Sequence, residues 1–275
     1  MSLLQLTLQL KRISESPNLD AQVLLAHILQ KPRSWVLAHP EVELNAEQDE
    51  ALQIALTQLQ QDIPLPYVIG HWEFFGLDFI VTPDVLIPRP ETEELVEEAL
   101  EWLRDKKDAH VLDMGTGSGC IPISLARNAP DLSLVAVDRS SAALEIARQN
   151  AAKHGVAERI EFIESDLFSN VPSFKRSNVI TANLPYIPTE TLKTLAVYTR
   201  EPSLALDGGV DGLDLIRRLL ADAPQFLAPD GLMLLEIDSS HGGKALKTAK
   251  EYFPAAECEL LQDLSGRDRF IRIQA

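Results

Sequence analysis

The chain has 275 residues and a mass of 30.5 kDa, enough for one large α/β domain or two smaller domains with real cores. Its 41 acidic against 25 basic residues leave a formal charge of -16 beside an ordinary 45% apolar fraction, which excludes disorder and argues against phosphate binding by the surface as a whole. Two cysteines, Cys120 and Cys258, are too few for a disulfide framework and have no second Cys or His at metal-ligand spacing, so a reducing compartment and no metal site are expected.

The opening MSLLQLTLQLKRI puts its basic residues after the apolar ones, and no small-residue cleavage site follows. No apolar run approaches the roughly 20 residues needed to span a bilayer, so a soluble cytoplasmic protein without a membrane partner is expected. From Asp20 to about Gln61 apolar residues recur at helical spacing: Leu24, Leu25, Ile28 and Leu29, then Leu52, Ile54, Ala55, Leu56 and Leu59. With no glycine before Gly70, this predicts a small helical bundle punctuated by Pro32 and Pro40. Between Ile63 and Pro90 the runs YVIG, WEFFG and LDFIV, broken by prolines and glycines, predict a β-hairpin connector. IPRPETEELVEEALEWL then opens a helix, with Thr92 as its cap, an apolar face from Leu95 to Leu103 and a solvated acidic face from Glu91 to Glu101. The expected domains are 1–62, a helical substrate-docking domain, 63–90, the hairpin linker, and 91–275, the catalytic domain.

After Asp108 strands and helices alternate. HVLDM, LSLVAVD, RIEFIE and NVITA read as strands, and CIPISLARN, SAALEIARQNAAKHG and GLDLIRRLLADAPQFL as helices, which predicts a parallel sheet covered on both faces. LMLLEID and KALKTAKEYF follow, and then AECELLQDL and RDRFIRIQ, joined by so short a turn that they must pair antiparallel. A Rossmann-like, mostly parallel α/β sheet with one antiparallel C-terminal strand inserted resembles the class I S-adenosylmethionine-dependent methyltransferases.

The segment HVLDMGTGSGCIPISLA runs from an apolar strand through Gly115, Thr116, Gly117, Ser118 and Gly119 into a helix. Alternating glycines let the backbone turn tightly and approach a nucleotide-like ligand near a helix N-terminus. A dinucleotide fingerprint would need Gly or Ala where Cys120 stands, and no Gly-Lys-Ser/Thr ending makes a Walker loop. The loop instead resembles the methyltransferase D/E-x-G-x-G-x-G signature, with Asp113 at the strand end. Asp138, ending the next strand, can accept from both hydroxyls of a ribose. Asp166, after RIEFIE, can accept from an adenine amine; for both aspartates the plain alternative is a helix cap.

NVITA runs into Asn183, Leu184, Pro185 and Tyr186, which the sheet should bring to the same crevice as the glycine loop. The tetrapeptide resembles the N/D-P-P-Y/F/W motif of methyltransferases acting on planar nitrogens, with Leu184 where Pro is usual. A planar amide nitrogen has a delocalised lone pair and is a poor nucleophile. Acceptors on the Asn183 side chain and the Leu184 carbonyl can take its two N–H groups and aim the lone pair at a methyl donor. The Tyr186 ring can pack on the planar group and favour developing positive charge.

The whole chain is similar to the peptide chain release factor N5-glutamine methyltransferases, the PrmC or HemK family. The segments that carry the resemblance are LIPRPETEELVE, DMGTGSGCIPISLA, AVDRSSAALEIARQNA, SDLF, NLPYIP, EPSLALDGGVDGLDLIRRL and DLSGRDRF; LLEIDSSHGG departs from the usual pattern. The resemblance implies methyl transfer from S-adenosyl-L-methionine, yielding S-adenosyl-L-homocysteine, to the Gln of the GGQ loop of class 1 peptide chain release factors. It implies that Asn183, Leu184, Pro185 and Tyr186 hold the glutamine, with Asn183 and Tyr186 catalytic. The cofactor would rest on residues 115–119, Asp138, Asp166, Leu167 and Asn183, with Arg89, Glu91 and Thr92 at the entrance. Arg89 could instead be a tie between domains. A rival, an adenine-N6 DNA or RNA methyltransferase, poses the same geometric problem but must hold phosphates, which the charge of -16 opposes. A non-catalytic protein on the same fold would not need the glycine loop, Asp138 and Asn183 together. A monomer is expected, with the helical domain docking the release factor because one glutamine offers too little surface for specificity.

Overall fold

The computed structural model describes residues 2–172 and 176–275, which group into two units, one ending at His71 and one running from Trp72 to Ala275. The first is helical: α1 (Leu3–Leu10), α2 (Pro17–Leu29), α3 (Arg33–Ala38), α4 (Ala46–Gln60) and α5 (Leu65–Ile69). Ser2 with Gln5 and Asn45 with Gln48 form reciprocal capping boxes that satisfy the first free N–H groups of α1 and α4. Leu6, Leu10, Leu24, Leu25, Leu52 and Leu56 are buried, whereas Ile54 faces outward at 58% exposure. It falls across the helix from the Leu52, Ala55 and Leu56 face. The YVI run, expected as strand, lies in α5: Pro66 in its first turn and Gly70 in the left-handed conformation behind it make a short helix of it.

The hairpin is β1 (His71–Phe74) and β2 (Leu77–Ile80). Its two turn residues, Phe75 and Gly76, have φ of 52° and 69°, the pairing that matches strand twist in a tight hairpin. Phe75 N–H donates to Glu93 Oε1 at 2.9 Å. Glu93 sits on α6 (Glu91–Leu103), so the acidic face of that helix is only partly solvated. Glu94 Oε1 accepts from Leu264 N–H and Glu98 pairs with Arg272. Pro90 precedes α6, and Thr92, expected as its cap, lies inside the first turn and is 2% exposed.

The remaining elements are β3 (His110–Met114), α7 (Cys120–Asn128), β4 (Ser133–Asp138), α8 (Ser141–Lys153), β5 (Ile160–Glu164), β6 (Ser177–Ala182), α9 (Thr189–Leu192), α10 (Asp214–Asp222), β7 (Leu227–Glu236), α11 (Gly242–Tyr252), β8 (Glu257–Gln262) and β9 (Asp268–Gln274). The sheet order is β5-β4-β3-β6-β7-β9-β8, parallel except for β9, which is antiparallel to both β7 and β8. Side chains alternate between two cores, as the pleat requires. Leu112, Met114, Ile180, Met233 and Leu235 pack with α10 and α11, and Val111, Val179, Leu232 and Leu234 with α6 and α7. Strand order reverses between β3 and β6, so a crevice opens at their carboxyl ends, the place where open α/β sheets bind ligands. Among the described residues no helix is long and apolar enough to cross a membrane.

Candidate active site

Each strand from β3 to β7 delivers a polar residue at or just beyond its C-terminal end: Asp113, Asp138, Asp166, Asn183 and Glu236. The glycine loop folds back over β4, where Gly115 N–H and Thr116 N–H both donate to Val137 O, at 2.8 and 2.9 Å. Asp138 then fastens the loop. Its Oδ2 accepts from Gly117 N–H at 2.8 Å and its Oδ1 from Ser140 N–H at 2.9 Å. Burial raises the Asp138 carboxyl above its ordinary value while these backbone donors hold it down. Ser140, not Asp138, caps α8. Asp113 lies fully buried under the loop, accepting from Thr181 Oγ1 at 2.7 Å, and burial pushes it up to about 6.

A cavity of about 250 Å³ lies over these strand ends. Thr116, Gly117, Ser118, Asp138, Asp166, Leu167, Asn183, Leu184, Pro185, Arg89 and Thr92 all border it, together with Gly115. Glu91, Asp113 and Gly119 do not. A Cβ on Gly119 would come within 2.9 Å of Ile123 Cδ1 and 3.2 Å of Ala147 Cβ, so that glycine serves the packing of α7 on α8. Gly115 has φ of 78°, and a Cβ there would lie 2.8 Å from Leu184 Cδ2. The glycine therefore lets the tetrapeptide close onto the loop, with Leu184 filling the contact. Asp166 begins no helix; Arg218 Nη2 donates to its Oδ2 at 2.8 Å and holds the carboxyl below its ordinary value. Its other oxygen keeps acceptor capacity at the cavity wall.

A second cavity of about 230 Å³ shares Leu86, Arg89, Asn183 and Ala205 with the first and adds Tyr186 and Ile187. Asn183 is thus one of four residues bordering both. Arg89 Nη2 donates to Glu201 Oε1, and Glu201 Oε2 accepts from Ile87 N–H at 3.1 Å. Arg89 thus ties the IPRP segment to Glu201 within the larger unit while it borders the cavity; the alternative of a tie between the helical and catalytic domains does not describe this pair. Behind Tyr186, Ile187 N–H donates to Leu206 O and Gly208 N–H to Ile187 O. A Cβ on Gly208 would come within 2.7 Å of Tyr186 Cα, and one on Gly212 would overlap the Tyr186 carbonyl. The GGVDG stretch is a backbone mould for the tetrapeptide.

Two residues escaped the sequence reading. Asn150, fully buried on α8, donates to Ser118 O at 2.9 Å and exchanges two hydrogen bonds with the backbone of Ile80. It binds the glycine loop to the hairpin. Glu236, 1% exposed at the end of β7, accepts from Thr92 Oγ1 at 2.6 Å and from Tyr186 OH at 3.2 Å. Asn183 Nδ2 in turn donates to Thr92 Oγ1 at 3.1 Å. An acidic residue closing the apolar strand LMLLEID is the same signal that marked Asp113 and Asp138.

Residues 3–70 match the model of the PrmC N-terminal domain and residues 95–199 that of the methyltransferase small domain. The chain is 42% identical to a release factor glutamine methyltransferase of Moorella thermoacetica, over 93% of this chain and 90% of the relative. It is 39% identical to that of Xylella fastidiosa, over 91% and 90%. Among solved structures, a SAM-dependent methyltransferase of Agrobacterium tumefaciens superposes with a TM-score of 0.52 at 15% identity, covering 74% of this chain and 70% of that one. A ribosomal protein L11 methylase of Lactobacillus delbrueckii subsp. bulgaricus gives 0.51 at 22%, covering 70% and 83%. These two likenesses are of fold, the class I methyltransferase sheet with its antiparallel C-terminal strand.

Proposed function

The chain belongs to the family of release factor glutamine methyltransferases, and from that premise we infer that it methylates the side-chain amide nitrogen of the GGQ glutamine in class 1 peptide chain release factors. The observation that carries the reading is that Asn183 borders both cavities while its Nδ2 is committed to Thr92. That leaves Asn183 Oδ1 as the acceptor for an incoming amide.

The larger cavity suits an adenosyl cofactor. Asp138 spends one lone pair of each oxygen on the backbone and retains others for a vicinal diol. Among the described residues, chain neighbours aside, no heavy atom lies within 4 Å of the Cβ position of Gly117, so the loop offers room where a ligand would lie. Gly115 to Gly119 and Asp138 would hold the methionine and ribose parts, and Asp166 with Leu167 the adenine. Bound S-adenosylmethionine supplies an electrophilic methyl group on a positively charged sulfur. Asn183 Oδ1 and the Leu184 carbonyl accept the two amide N–H groups, which draws the nitrogen out of conjugation and orients its lone pair. The Leu184 substitution leaves this intact, because the acceptor is backbone. Tyr186 borders the second cavity, where its ring can pack on the planar amide as positive charge develops. The methylated nitrogen, acidic once positive, loses its proton to water.

The test is incubation with methyl-labelled S-adenosylmethionine and either purified release factor or duplex DNA. Label is expected on the GGQ peptide and not on DNA; label on DNA alone would overturn the reading. In the same assay, a chain beginning at Trp72 should lose labelling of intact release factor while still binding the cofactor, because the helical unit supplies the docking surface that one glutamine cannot. Undiminished labelling by the truncated chain would refute that role.

A further inference from the structure

Beneath the tetrapeptide, one buried carboxylate receives Tyr186 directly and Asn183 through Thr92. Glu236 Oε1 takes the Tyr186 hydroxyl at 3.2 Å, and Oε2 takes the Thr92 hydroxyl at 2.6 Å. Thr92 has a single hydroxyl proton, and it is given to Glu236, so toward Asn183 the oxygen can act only as an acceptor. It receives Asn183 Nδ2 at 3.1 Å. The direction of the relay fixes which end of the Asn183 carboxamide faces the cavities.

We propose that Glu236 is a positioning residue for methyl transfer: through Thr92 it turns the Asn183 carboxamide so that Oδ1 faces the substrate amide, and it anchors Tyr186 at the same time. The role rests on the reading of Asn183 as the acceptor for that amide. Elements from both sides of β7 converge on this carboxylate. Register places Leu232, Leu234 and Glu236 on the same face of β7, the one covered by α6, which is why Thr92 can reach it. The ionisable groups around it are Glu91 from α6, Cys120 from α7, Tyr186 after β6 and Arg269 from β9. Arg269 is itself paired with Asp263, so no partner neutralises Glu236 in full.

Burial pushes the Glu236 carboxyl up to about 7, opposed by the Thr92 and Tyr186 hydrogen bonds and the charge of Arg269. A proton on the Thr92 side would make Glu236 a donor, reverse the relay and turn the Asn183 NH2 toward the substrate amide, donor against donor. The ionised form is the productive one, so kcat should rise with pH through this region and level off above it.

The experiment compares full-length wild type, Glu236→Gln, Thr92→Val and Thr92→Ser on intact release factor across pH 5.5 to 9, with cofactor affinity measured separately by calorimetry. A glutamine can accept from only one of Thr92 and Tyr186. Glu236→Gln should therefore lower kcat about 10–100-fold, the range typical of removing a group that orients a site residue, leave cofactor Kd within about twofold and abolish the acid limb. Thr92→Val removes the relay and should lower kcat alike, while Thr92→Ser, which keeps the hydroxyl and drops the methyl, should recover most of that loss. A purely structural Thr92 would give the opposite order. Wild-type kcat in Glu236→Gln, an acid limb surviving in it, or Thr92→Ser as impaired as Thr92→Val would each overturn the proposal. If Glu236→Gln does not fold, the Thr92 pair decides alone. Absence of wild-type label on release factor would sink the substrate reading and this inference with it, whereas wild-type labelling with unaltered variants sinks the Glu236 role only.

Discussion

Replacing Asn183 by Ala is expected to lower kcat for release-factor methylation about 10²–10³-fold, the scale of losing one pre-oriented hydrogen-bonding group at a reacting centre. Cofactor affinity should change only a few-fold. The reasoning is geometric. An amide nitrogen must give up part of its conjugation before it can attack, and only acceptors already aimed at both N–H groups favour that state without reorganising. Asn183 is pre-aimed because Gly115 lets residues 183–184 close on the loop and because Thr92 holds Nδ2 at 3.1 Å. Truncation to Ala removes the side-chain acceptor but keeps the Leu184 carbonyl, so residual activity should persist. Steady-state rates at saturating cofactor, set beside calorimetric affinity, check the split. A loss confined to cofactor affinity would show that Asn183 holds the cofactor and not the amide.

Much of this site was legible in the chain because its parts are local. Asp138 and Asn183 each end an apolar strand, and the glycines lie between a strand and a helix, so periodicity alone places them on one edge of a parallel sheet. The antiparallel pairing of β8 and β9 was legible for a similar reason: Ser265 and Gly266 leave no room for a crossover; the insertion of β9 beside β7 followed only from the resemblance to class I methyltransferases. What escaped was nonlocal or decided by punctuation. Thr92 followed by glutamates has the look of a cap, yet the helix already starts at Glu91, and the hydroxyl turns inward to a carboxylate from β7, an element brought alongside only by the finished sheet. Glu236 carried a visible signal, but its partners sit on α6 and after β6 and nothing in LMLLEID names them. Asn150, within a helix of small residues, gave no hint that it would be buried against a loop carbonyl. In YVIG the β-branched and aromatic residues favoured a strand, and the proline before them and the glycine after them overruled that preference.

The complementary result is expected at Asp138. Asp138→Ala should weaken cofactor binding about 10²–10³-fold and leave kcat at saturating cofactor within a few-fold. Two effects combine. A carboxylate facing a ribose diol makes charge-assisted hydrogen bonds worth about 1.5–3 kcal/mol each, and loss of two of them at the lower end, about 3–4 kcal/mol together, corresponds to that range. The same carboxylate also accepts Gly117 N–H and Ser140 N–H, so alanine leaves both donors unsatisfied unless water replaces it, and the glycine loop keeps only its Gly115 and Thr116 bonds to Val137 as ties to β4. Asp138→Asn separates the contributions. An amide retains one oxygen and can still accept one backbone N–H, but its NH2 opposes the other, so cofactor affinity should fall between wild type and alanine. The tetrapeptide is also held by Thr92 and Glu236 and, through the adjoining Ile187, by the backbone of Leu206 and Gly208, which is why the chemical step should survive once cofactor is driven on. Calorimetric titration with S-adenosylhomocysteine, run beside initial rates, measures both quantities. Should kcat collapse in Asp138→Ala while affinity holds, the strand end after β4 would belong to the reacting centre, and the division of labour between the two cavities would have to be redrawn.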